Sequence, residues 1–556
     1  MQQASEIATF TFNKGSPDRP NRMLFLRCSM YAVLVVASVA CNNHGGAHSS
    51  AAMRHNVALR RGLPGDPRTL DPQLADDQFS LQVVRDLYEG LTAEDSSGRI
   101  VPGIAASWTV DQTGTVYVFN LRRDAKWSNG APLTAKEFVD GLRRAVQPET
   151  GSGDAVLLSV VKGATDITSG RKNASELGVA AIDESTVRIE LEHPAPFILQ
   201  ILSQPIAAPS YEGAPLAVKE ESSNKNLGPY DGPYVLSGRI PGSFIDLTRN
   251  GNYWNASRVA IEKVRYVNVE SEATELHEYI AGELDMTFTL PLADFKRISE
   301  QLGPQVQVDT TLGTTFLALN LANPDLRDHD LREALSIAVD RDAIAQHVLP
   351  GVQPAYTLVA SGSNGYTPPK YEWMDWDRAH QLSFAKSLYA RAGYSEKKPL
   401  RVRLYSASGE TNQRVMIAVA GSWKQNLGVI SELISEEFRV FLVGRKDKSR
   451  WDVERVRWDA DYDDPSSFLD VLAPGSNEND SGYDNPRFSE LVRQATVEPR
   501  PSVRLDYLRS AEESMLNDYP IIPIYFVRSR RLVKPYVGGA QINPMDRTYS
   551  KNLFWR

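Results

Sequence analysis

Residues 115–146 read T-V-Y-V-F-N-L-R-R-D-A-K-W-S-N-G-A-P-L-T-A-K-E-F-V-D-G-L-R-R-A-V and predict their own local structure. β-forming residues dominate Val116–Leu121, which predicts a strand. The dipeptide Asn129-Gly130 tolerates positive φ and therefore predicts a tight turn. Thr134 and Glu137 have the spacing of a capping box, so a helix is predicted to begin there. The apolar stripe of that helix would consist of Phe138, Leu142 and Val146.

Strand and helix patterns alternate along the rest of the chain, which indicates an α/β protein. Apolar residues at helical spacing predict helices over residues 327–340, 385–392 and 416–427. Gly393 and Gly428 follow the last two of these segments, at the position where glycine commonly ends a helix. Strands are predicted over residues 187–191, 245–248, 264–269 and 521–526.

Residues 121–130, L-R-R-D-A-K-W-S-N-G, resemble the L-R-x-x-A-K-W-S-[DN]-G signature of the family 5 extracellular solute-binding proteins, which serve peptide ABC importers. The resemblance extends from about residue 56 to residue 554. Its other matching segments are residues 65–72, 84–91, 249–254, 281–286, 331–341 and 532–539.

The resemblance implies a two-lobed α/β fold of the periplasmic binding protein type, with two crossover strands and an additional inserted domain. Mapped onto this chain, residues 56–91, 211–312 and 527–556 would form lobe I. Residues 92–210 would form the inserted domain, and residues 313–526 would form lobe III. Residues 1–41 would be a leader and residues 42–55 a flexible tether.

Both cysteines of the chain lie within its first 41 residues. Basic residues precede a short apolar run at residues 30–40, which falls short of the roughly 20 residues of a membrane-spanning helix and instead predicts an export signal. Residues 38–41, S-V-A-C, resemble a lipobox, in which Cys41 would carry the lipid. A plain signal peptide is the alternative, and translation could begin at Met1 or at Met23.

The formal net charge is −8, which disfavours nucleic acid and anionic membrane surfaces as partners. The chain lacks an H-E-x-x-H pair, a G-x-S-x-G elbow and a phosphate-binding loop, and no thiol follows Cys41. We therefore expect no enzymatic activity, no cofactor and no metal. A secreted peptidase is the alternative from a different functional class.

The segment 458–465, W-D-A-D-Y-D-D-P, is the strongest site candidate, because four carboxylates within six residues repel one another unless something compensates them. A solvated acidic loop is one interpretation. Calcium is a second, since Asp459, Asp461 and Asp463 stand at positions 1, 3 and 5 of an EF-hand-like loop. However, Asp464 occupies the position that requires glycine and Asp470 the position that requires glutamate.

The third interpretation comes from the family, in which the motif W-x-A-D-Y-x-[DE]-P lies in the ligand cleft. Trp458, Ala460 and Tyr462 match this motif, and the resemblance implies that Asp461 pairs with the α-ammonium of a bound peptide. A buried ammonium needs such a carboxylate partner. Asp459 would be an additional carboxylate beside Asp461 and would favour cationic ligand ends.

The resemblance also places Arg455 and Arg445 near the arginines that pair with a peptide carboxylate, with surface arginines as the alternative. One additional residue between Phe438 and Trp451 leaves the register of Arg445 open. Phe438 would form the wall of a hydrophobic ligand pocket.

Together these features predict an exported, lipid-anchored monomer of the periplasm or cell envelope that closes around oligopeptides and delivers them to ABC permease subunits in the inner membrane. Within the binding class, the alternatives are ligands of another kind: dipeptides, cell-wall peptides or a metal chelate.

Overall fold

Residues 115–146 fold as their sequence predicts. Val116–Leu121 is a strand, and Gly130 adopts a φ of 88° in the turn that follows. The helix Ala135–Val146 begins after Thr134, whose backbone N–H donates to Glu137 Oε2 at 2.8 Å. The local predictions for this stretch are therefore confirmed.

The structure is a computed structural model that describes residues 57–211, 228–291, 295–363 and 365–556. All of these residues belong to one unit, residues 51–556. The predicted leader, the tether and the lipidation site Cys41 lie outside the described residues. Within the described residues, no helix is both long enough and apolar enough to cross a membrane.

The first sheet has four strands in the order Leu59–Leu63, Lys263–Asn268, Phe244–Arg249 and Tyr234–Ile240. The first two strands are parallel and the other neighbours are antiparallel. The core of this region is built from residues 59–87, 230–286 and 533–553, so distant parts of the chain share one hydrophobic interior.

A second four-stranded sheet is antiparallel throughout, in the order Ala105–Val110, Val116–Leu121, Thr186–Glu190 and Val179–Asp183. Its core uses residues 91–207 together with Tyr462. This separate interior corresponds to the inserted domain of the prediction.

The third sheet has six strands, in the order Gln353–Pro354, Ile521–Leu532, Val306–Leu319, Val453–Asp459, Arg401–Ala407 and Ile430–Glu436. Its core comes from residues 312–526. The two long strands at its centre, Val306–Leu319 and Ile521–Leu532, pair antiparallel and shift register between Thr310 and Thr314. Both extend from the third sheet towards the region of the first. They are the two crossover strands, and the predicted two-lobed α/β fold is confirmed. The residue numbers that we assigned to the domain boundaries stay a prediction.

Short strands pair Thr92–Glu94 with Ile100–Pro102 and Val537–Gly538 with Phe554–Trp555. The described α-helices span Gln78–Leu87, Ala135–Val146, Ala164–Thr168, Ile198–Ile201, Glu272–Ala281, Phe295–Leu302, His329–Ala338, Arg341–Ala343, Arg378–Arg391, Glu410–Leu427, Phe438–Gly444, Ser466–Leu469, Pro486–Val497 and Pro501–Asp518.

All three helix predictions differ from the structure at their N-terminal ends. The helix predicted over residues 327–340 spans His329–Ala338, and the other two helices begin earlier than predicted. The helix predicted over residues 385–392 begins earlier, at Arg378, because Asp377 caps it by accepting a hydrogen bond from the His380 N–H at 2.9 Å. Its first two turns contain no buried residue, so hydrophobic spacing could not detect them. The helix predicted over residues 416–427 likewise begins at Glu410 and ends as predicted before Gly428, whose φ is 77°.

Candidate functional site

The acidic segment 458–465 leaves the third sheet beside a crossover strand. It continues from the strand Val453–Asp459, in which Asp459 is the register partner of Gly313. The next residue, Ala460, donates its N–H to the carbonyl oxygen of Leu312 at 2.7 Å. The segment therefore begins beside Leu312, where the strand Val306–Leu319 enters the third core.

Arginines compensate part of the repulsion among the four carboxylates. Arg457 Nε lies 2.8 Å from Asp459 Oδ2, and both side chains are half-exposed. Arg504 binds Asp464 through two hydrogen bonds of 2.7 and 2.9 Å, and this pair is buried. Asp459 is thus an additional carboxylate close to Asp461 in the chain, as predicted, but it is paired with Arg457, and its effect on a ligand stays a prediction.

Three parts of the chain hold the backbone of Asp461. Its N–H donates to Ser467 Oγ at 2.9 Å. Its carbonyl oxygen accepts hydrogen bonds from Gln204 Nε2 at 3.0 Å and from Arg547 Nη2 at 3.2 Å. Since these residues belong to the third core, the inserted domain and the C-terminal segment, the position of Asp461 depends on all three.

The Asp461 carboxylate, in contrast, has neither a hydrogen bond nor an ion pair with any residue that the structure describes. It is exposed, yet protein atoms surround it closely enough that burial raises its pKa to about 6. Asp154 raises this pKa further, and Arg547 opposes the shift. Because the side chain of Asp461 is exposed, a ligand can reach this carboxylate.

Aromatic packing fixes the same segment to the inserted domain. Tyr462 is buried and stacks on Phe197, with ring centroids 4.2 Å apart and planes 5° from parallel. Gln200 Nε2 donates to the Asp463 carbonyl oxygen at 3.1 Å, and the Trp458 indole N–H donates to the Ser467 carbonyl oxygen at 2.7 Å. In the described structure, Tyr462 and the buried Ala460 position the loop. Their contact with a ligand, and that of Trp458, stay predictions.

The predicted carboxylate-binding arginines have different surroundings. Arg455 is half-buried and donates to the Tyr525 hydroxyl at 2.8 Å, while its Nε has no acceptor in the described structure. Because every second residue of a strand points to the same face of the sheet, Arg455 shares a face with Arg457 and Asp459. The contact of Arg455 with a ligand carboxylate stays a prediction.

Arg445 is buried in a network of charges. Its Nε lies 2.9 Å from Glu454 Oε1, and its other nitrogens pair with Glu478 at 3.4 Å and with Asp480. Burial raises the pKa of Glu454 to about 8, although Arg445 lowers it. A ligand carboxylate would have to compete with these three partners. Arg445 therefore has a structural role in this network, and its contact with a ligand stays a prediction.

Phe438 opens the helix Phe438–Gly444 and is 58% exposed. Val440, Leu442 and Val443 are also exposed, whereas Phe441 points inward and packs on Tyr405 at 5.0 Å. Phe438 therefore presents an apolar side chain to solvent, and its role as the wall of a ligand pocket stays a prediction.

Five residues that fix the acidic segment were not predicted from the sequence. They are Phe197, Gln200, Gln204, Arg504 and Arg547. Gln200 and Gln204 precede Asp463 and Asp461 by 263 and 257 residues, and no local motif marks them. Only their position in the folded chain reveals their function.

One cluster in the described residues has the spacing of a metal site, namely His329, Asp330 and Glu333. Its donors already have protein partners: His329 Nε2 contacts the Asn517 carbonyl oxygen, Arg391 binds Asp330, and the Tyr519 hydroxyl contacts Glu333. The cluster lies outside the acidic segment that we considered for calcium.

Comparison with known proteins identifies the family. The family model "Bacterial extracellular solute-binding proteins, family 5 Middle" matches residues 99–480. This chain belongs to the family 5 bacterial extracellular solute-binding proteins. The family resemblance predicted from residues 121–130 is therefore confirmed.

Similar members of family 5 cover nearly the whole chain. The periplasmic oligopeptide-binding protein OppA of Escherichia coli K12 is 33% identical over 538 residues, which cover 91% of this chain and 96% of OppA. The unliganded open form of the murein tripeptide-binding protein MppA superimposes with a TM-score of 0.79 at 32% identity, covering 90% of this chain and 97% of MppA. Haemophilus influenzae OppA in complex with the peptide RPPGFSPFR gives a TM-score of 0.74 at 30% identity, with 90% and 98% coverage. These family 5 relatives are binding proteins.

Proposed function

We propose that this protein captures oligopeptides between its two lobes and delivers them to the permease subunits of an ABC importer. The observation that carries the proposal is the Asp461 carboxylate. Ser467, Gln204 and Arg547 hold the backbone of Asp461, while its carboxylate has no partner in the described structure. The names of OppA and MppA, and the peptide bound to Haemophilus influenzae OppA, support a peptide as the ligand.

The chemistry of a peptide in a closing cleft matches these side chains. Its α-ammonium would lose water on closure, and pairing with Asp461 offsets that cost. Its backbone can be satisfied by hydrogen bonds of the type made by an added strand. Its carboxylate would meet Arg455, and an apolar side chain would lie on Phe438. Because the backbone supplies most of the contacts, many peptide sequences would be accepted.

Closure would be a hinge motion of the lobes about the two crossover strands. The register shift between Thr310 and Thr314 interrupts the regular pairing of these strands and is a natural place for the hinge. No bond in the ligand changes and no cofactor takes part. In this proposal the protein is a periplasmic monomer anchored to a membrane by a lipid on Cys41, and the importer supplies the energy of transport.

Calorimetry tests the proposal. The protein is unfolded and refolded to remove bound ligand, and a lysine-rich tripeptide is titrated beside its N-acetylated twin. Loss of a desolvated charge partner costs at least about 2 kcal/mol, so acetylation is expected to weaken binding about 30-fold or more.

The variant Asp461→Asn should weaken binding of the free peptide similarly and bind the acetylated peptide no worse than the native protein does. Asp484→Asn, at an exposed position away from the acidic segment, is the matched control and should leave both affinities unchanged. Equal binding of the two peptides by the native protein would remove the assigned role of Asp461. Absence of binding by either peptide would contradict the oligopeptide function.

A further inference from the structure

The acidic segment crosses from the third core into the inserted domain and back. Ala460 and Phe468 belong to the third core, whereas Tyr462, which lies between them in the chain, belongs to the core of the inserted domain. Tyr462 is 8% exposed and stacks on Phe197. Over this short stretch the chain therefore places one aromatic side chain in the interior of a neighbouring domain.

Hydrogen bonds from the inserted domain hold the backbone on both sides of Tyr462. Gln204 Nε2 donates to the Asp461 carbonyl oxygen at 3.0 Å, and Gln200 Nε2 donates to the Asp463 carbonyl oxygen at 3.1 Å. The Asp463 N–H donates in turn to Gln200 Oε1. Because Gln200 satisfies both polar backbone groups of Asp463, it fixes the orientation of this residue as well as its position.

The inserted domain is itself joined to the N-terminal and C-terminal segments of the chain. Arg144 of the inserted domain donates to Asp71 Oδ1 at 2.7 Å. Arg547 of the C-terminal segment pairs with Glu94 and also donates to the Asp461 carbonyl oxygen at 3.2 Å. These contacts connect three parts of the chain on one side of the acidic segment.

The third core holds the same residues from the other side. The Asp461 N–H donates to Ser467 Oγ at 2.9 Å, and Ser363 Oγ donates to Asp463 Oδ1 at 3.1 Å. Asp461 and Asp463 are thus each bound both by the inserted domain and by residues of the third core. We call residues 461–463 the junction, because they connect these two parts of the protein.

The junction lies beside the crossover strands, at their register shift. The Ala460 N–H donates to the Leu312 carbonyl oxygen at 2.7 Å. Leu312 lies between Thr310 and Thr314, where the pairing of the two crossover strands shifts. When two rigid parts rotate about a hinge, the points nearest to the axis move least. A hinge at the register shift would therefore leave the contacts of the junction intact while the rest of the cleft closes.

We propose that Phe197 and Gln200 are positioning residues that hold the junction at the pivot of the two lobes, so that Asp461 is in place for a peptide ammonium before the lobes close. The inference rests on the proposed peptide-binding function and on a hinge at the crossover strands. A carboxylate that is held in advance loses little conformational freedom when the ligand arrives, and this strengthens binding. The peptide ammonium would bind to the open protein, and closure would then enclose the rest of the peptide.

Calorimetry with the lysine-rich tripeptide and its N-acetylated twin tests the positioning role. Phe197→Leu removes the ring stack and keeps an apolar side chain, and Gln200→Ala removes the hydrogen bonds to Asp463. In the double variant, the ratio of the two affinities should fall at least about fivefold from its native value, while the affinity for the acetylated peptide stays within about twofold. A general loss of stability would instead lower both affinities and leave their ratio unchanged.

Gln112→Ala is the matched control, because Gln112 is an exposed glutamine of the same inserted domain. It should leave both affinities at native values. Circular dichroism checks that the variants fold, and Gln200→Ala alone provides the same comparison if the double variant does not fold.

A chemical cross-link tests the pivot directly. Both cysteines of the chain precede residue 42, so Phe197→Cys/Tyr462→Cys introduces the only two thiols into a full chain that carries Cys28→Ser and Cys41→Ser. The centroids of the two replaced rings are 4.2 Å apart, which suits a short bifunctional thiol reagent. If the joined residues stay together on closure, cross-linking should leave the affinity for the free peptide within about twofold of its value before cross-linking, or raise it.

Weaker binding after cross-linking would overturn the inference, because it would show that the inserted domain and the junction separate on closure. A native affinity ratio in the folded variant Phe197→Leu/Gln200→Ala would also overturn it. If the native protein prefers the free peptide and the variants keep that preference, only the positioning role fails. If the native protein binds both peptides equally, the role of Asp461 fails with it; if it binds neither, the peptide-binding function fails as well.

Discussion

Gly313 and Asp459 lie directly opposite each other across the antiparallel pair formed by Val306–Leu319 and Val453–Asp459. A Cβ atom on Gly313 would stand only 2.4 Å from Asp459 Oδ1 and 2.9 Å from Val527 Cγ2. The Asp459 carboxylate uses this space while it pairs with Arg457. The absence of a side chain at Gly313 thus allows the first carboxylate of the acidic segment to turn towards its arginine.

Gly313→Ala should therefore destabilise the protein. The new methyl group would displace Asp459 or Val527, and overpacking of this kind costs about 1–3 kcal/mol. Urea unfolding measures the change. Gly421→Ala is the matched control, because Gly421 lies within the helix Glu410–Leu427 with no atom near its would-be Cβ. Alanine there should stabilise the helix by about 0.5–1 kcal/mol. An equal effect of the two substitutions would show that the close approach at Gly313 has no energetic weight.

The affinity for peptides should fall in mild acid. Burial raises the pKa of Asp461 to about 6, so the free carboxylate begins to take up a proton near that pH. A peptide ammonium requires the ionised form, and protons therefore compete with the ligand. About one tenth of Asp461 is ionised one pH unit below its pKa, so affinity at pH 5 should be about tenfold lower than at pH 7.

Calorimetry between pH 5 and pH 7 checks this expectation. The same titrations with Asp461→Asn should give a weak affinity at every pH, because the asparagine side chain does not take up a proton in this range. This variant also separates Asp461 from the buried carboxyl groups of Glu275 and Glu512, whose pKa values are raised to about 7. A native protein whose affinity is constant from pH 7 to pH 5 would contradict the pairing.

The buried ion pair between Asp464 and Arg504 should be essential to the stability of the acidic segment. Asp464→Ala leaves the Arg504 guanidinium buried without its two hydrogen bonds. Loss of one partner from a buried pair costs about 3–5 kcal/mol. Asp484→Ala removes an exposed carboxylate nearby in the sequence and should change stability by less than about 0.5 kcal/mol. Urea unfolding of both variants provides the comparison, and similar midpoints would contradict the expected contribution of the ion pair to stability.

Alanine substitutions of the two phenylalanines in the helix Phe438–Gly444 should affect different properties, namely stability for Phe441 and peptide binding for Phe438. Phe438 is 58% exposed and Phe441 is 5% exposed, against Tyr405 and Trp451. Phe441→Ala should cost about 3–5 kcal/mol of stability, as for a large buried side chain. Phe438→Ala should leave the unfolding midpoint of the free protein nearly unchanged.

Phe438→Ala should instead weaken peptides that carry a large apolar side chain more than it weakens an all-alanine peptide. Calorimetry with the two kinds of peptide measures this difference. If Phe438→Ala leaves both affinities at native values, Phe438 is not part of the ligand pocket.

Local interactions explain why so much of the fold was predictable. The strand Val116–Leu121, the turn at Gly130 and the capping box of Thr134 and Glu137 depend on residues within a few positions of one another. The start of the helix at Arg378 was missed for the complementary reason. Its first two turns contain no fully buried residue, and hydrophobic spacing reports only a buried face.

By itself, the sequence determined the α/β class, the family and the identity of the acidic segment, because these depend on short patterns that survive in the linear chain. The tertiary structure decided how that segment is used. Arginines neutralise Asp459 and Asp464, whereas the Asp461 carboxylate is left without a protein partner. Gln204 and Arg547 hold the backbone of Asp461 and Arg504 pairs with Asp464, and these contacts join positions that are 40 to 257 residues apart in the chain and meet only in the folded protein.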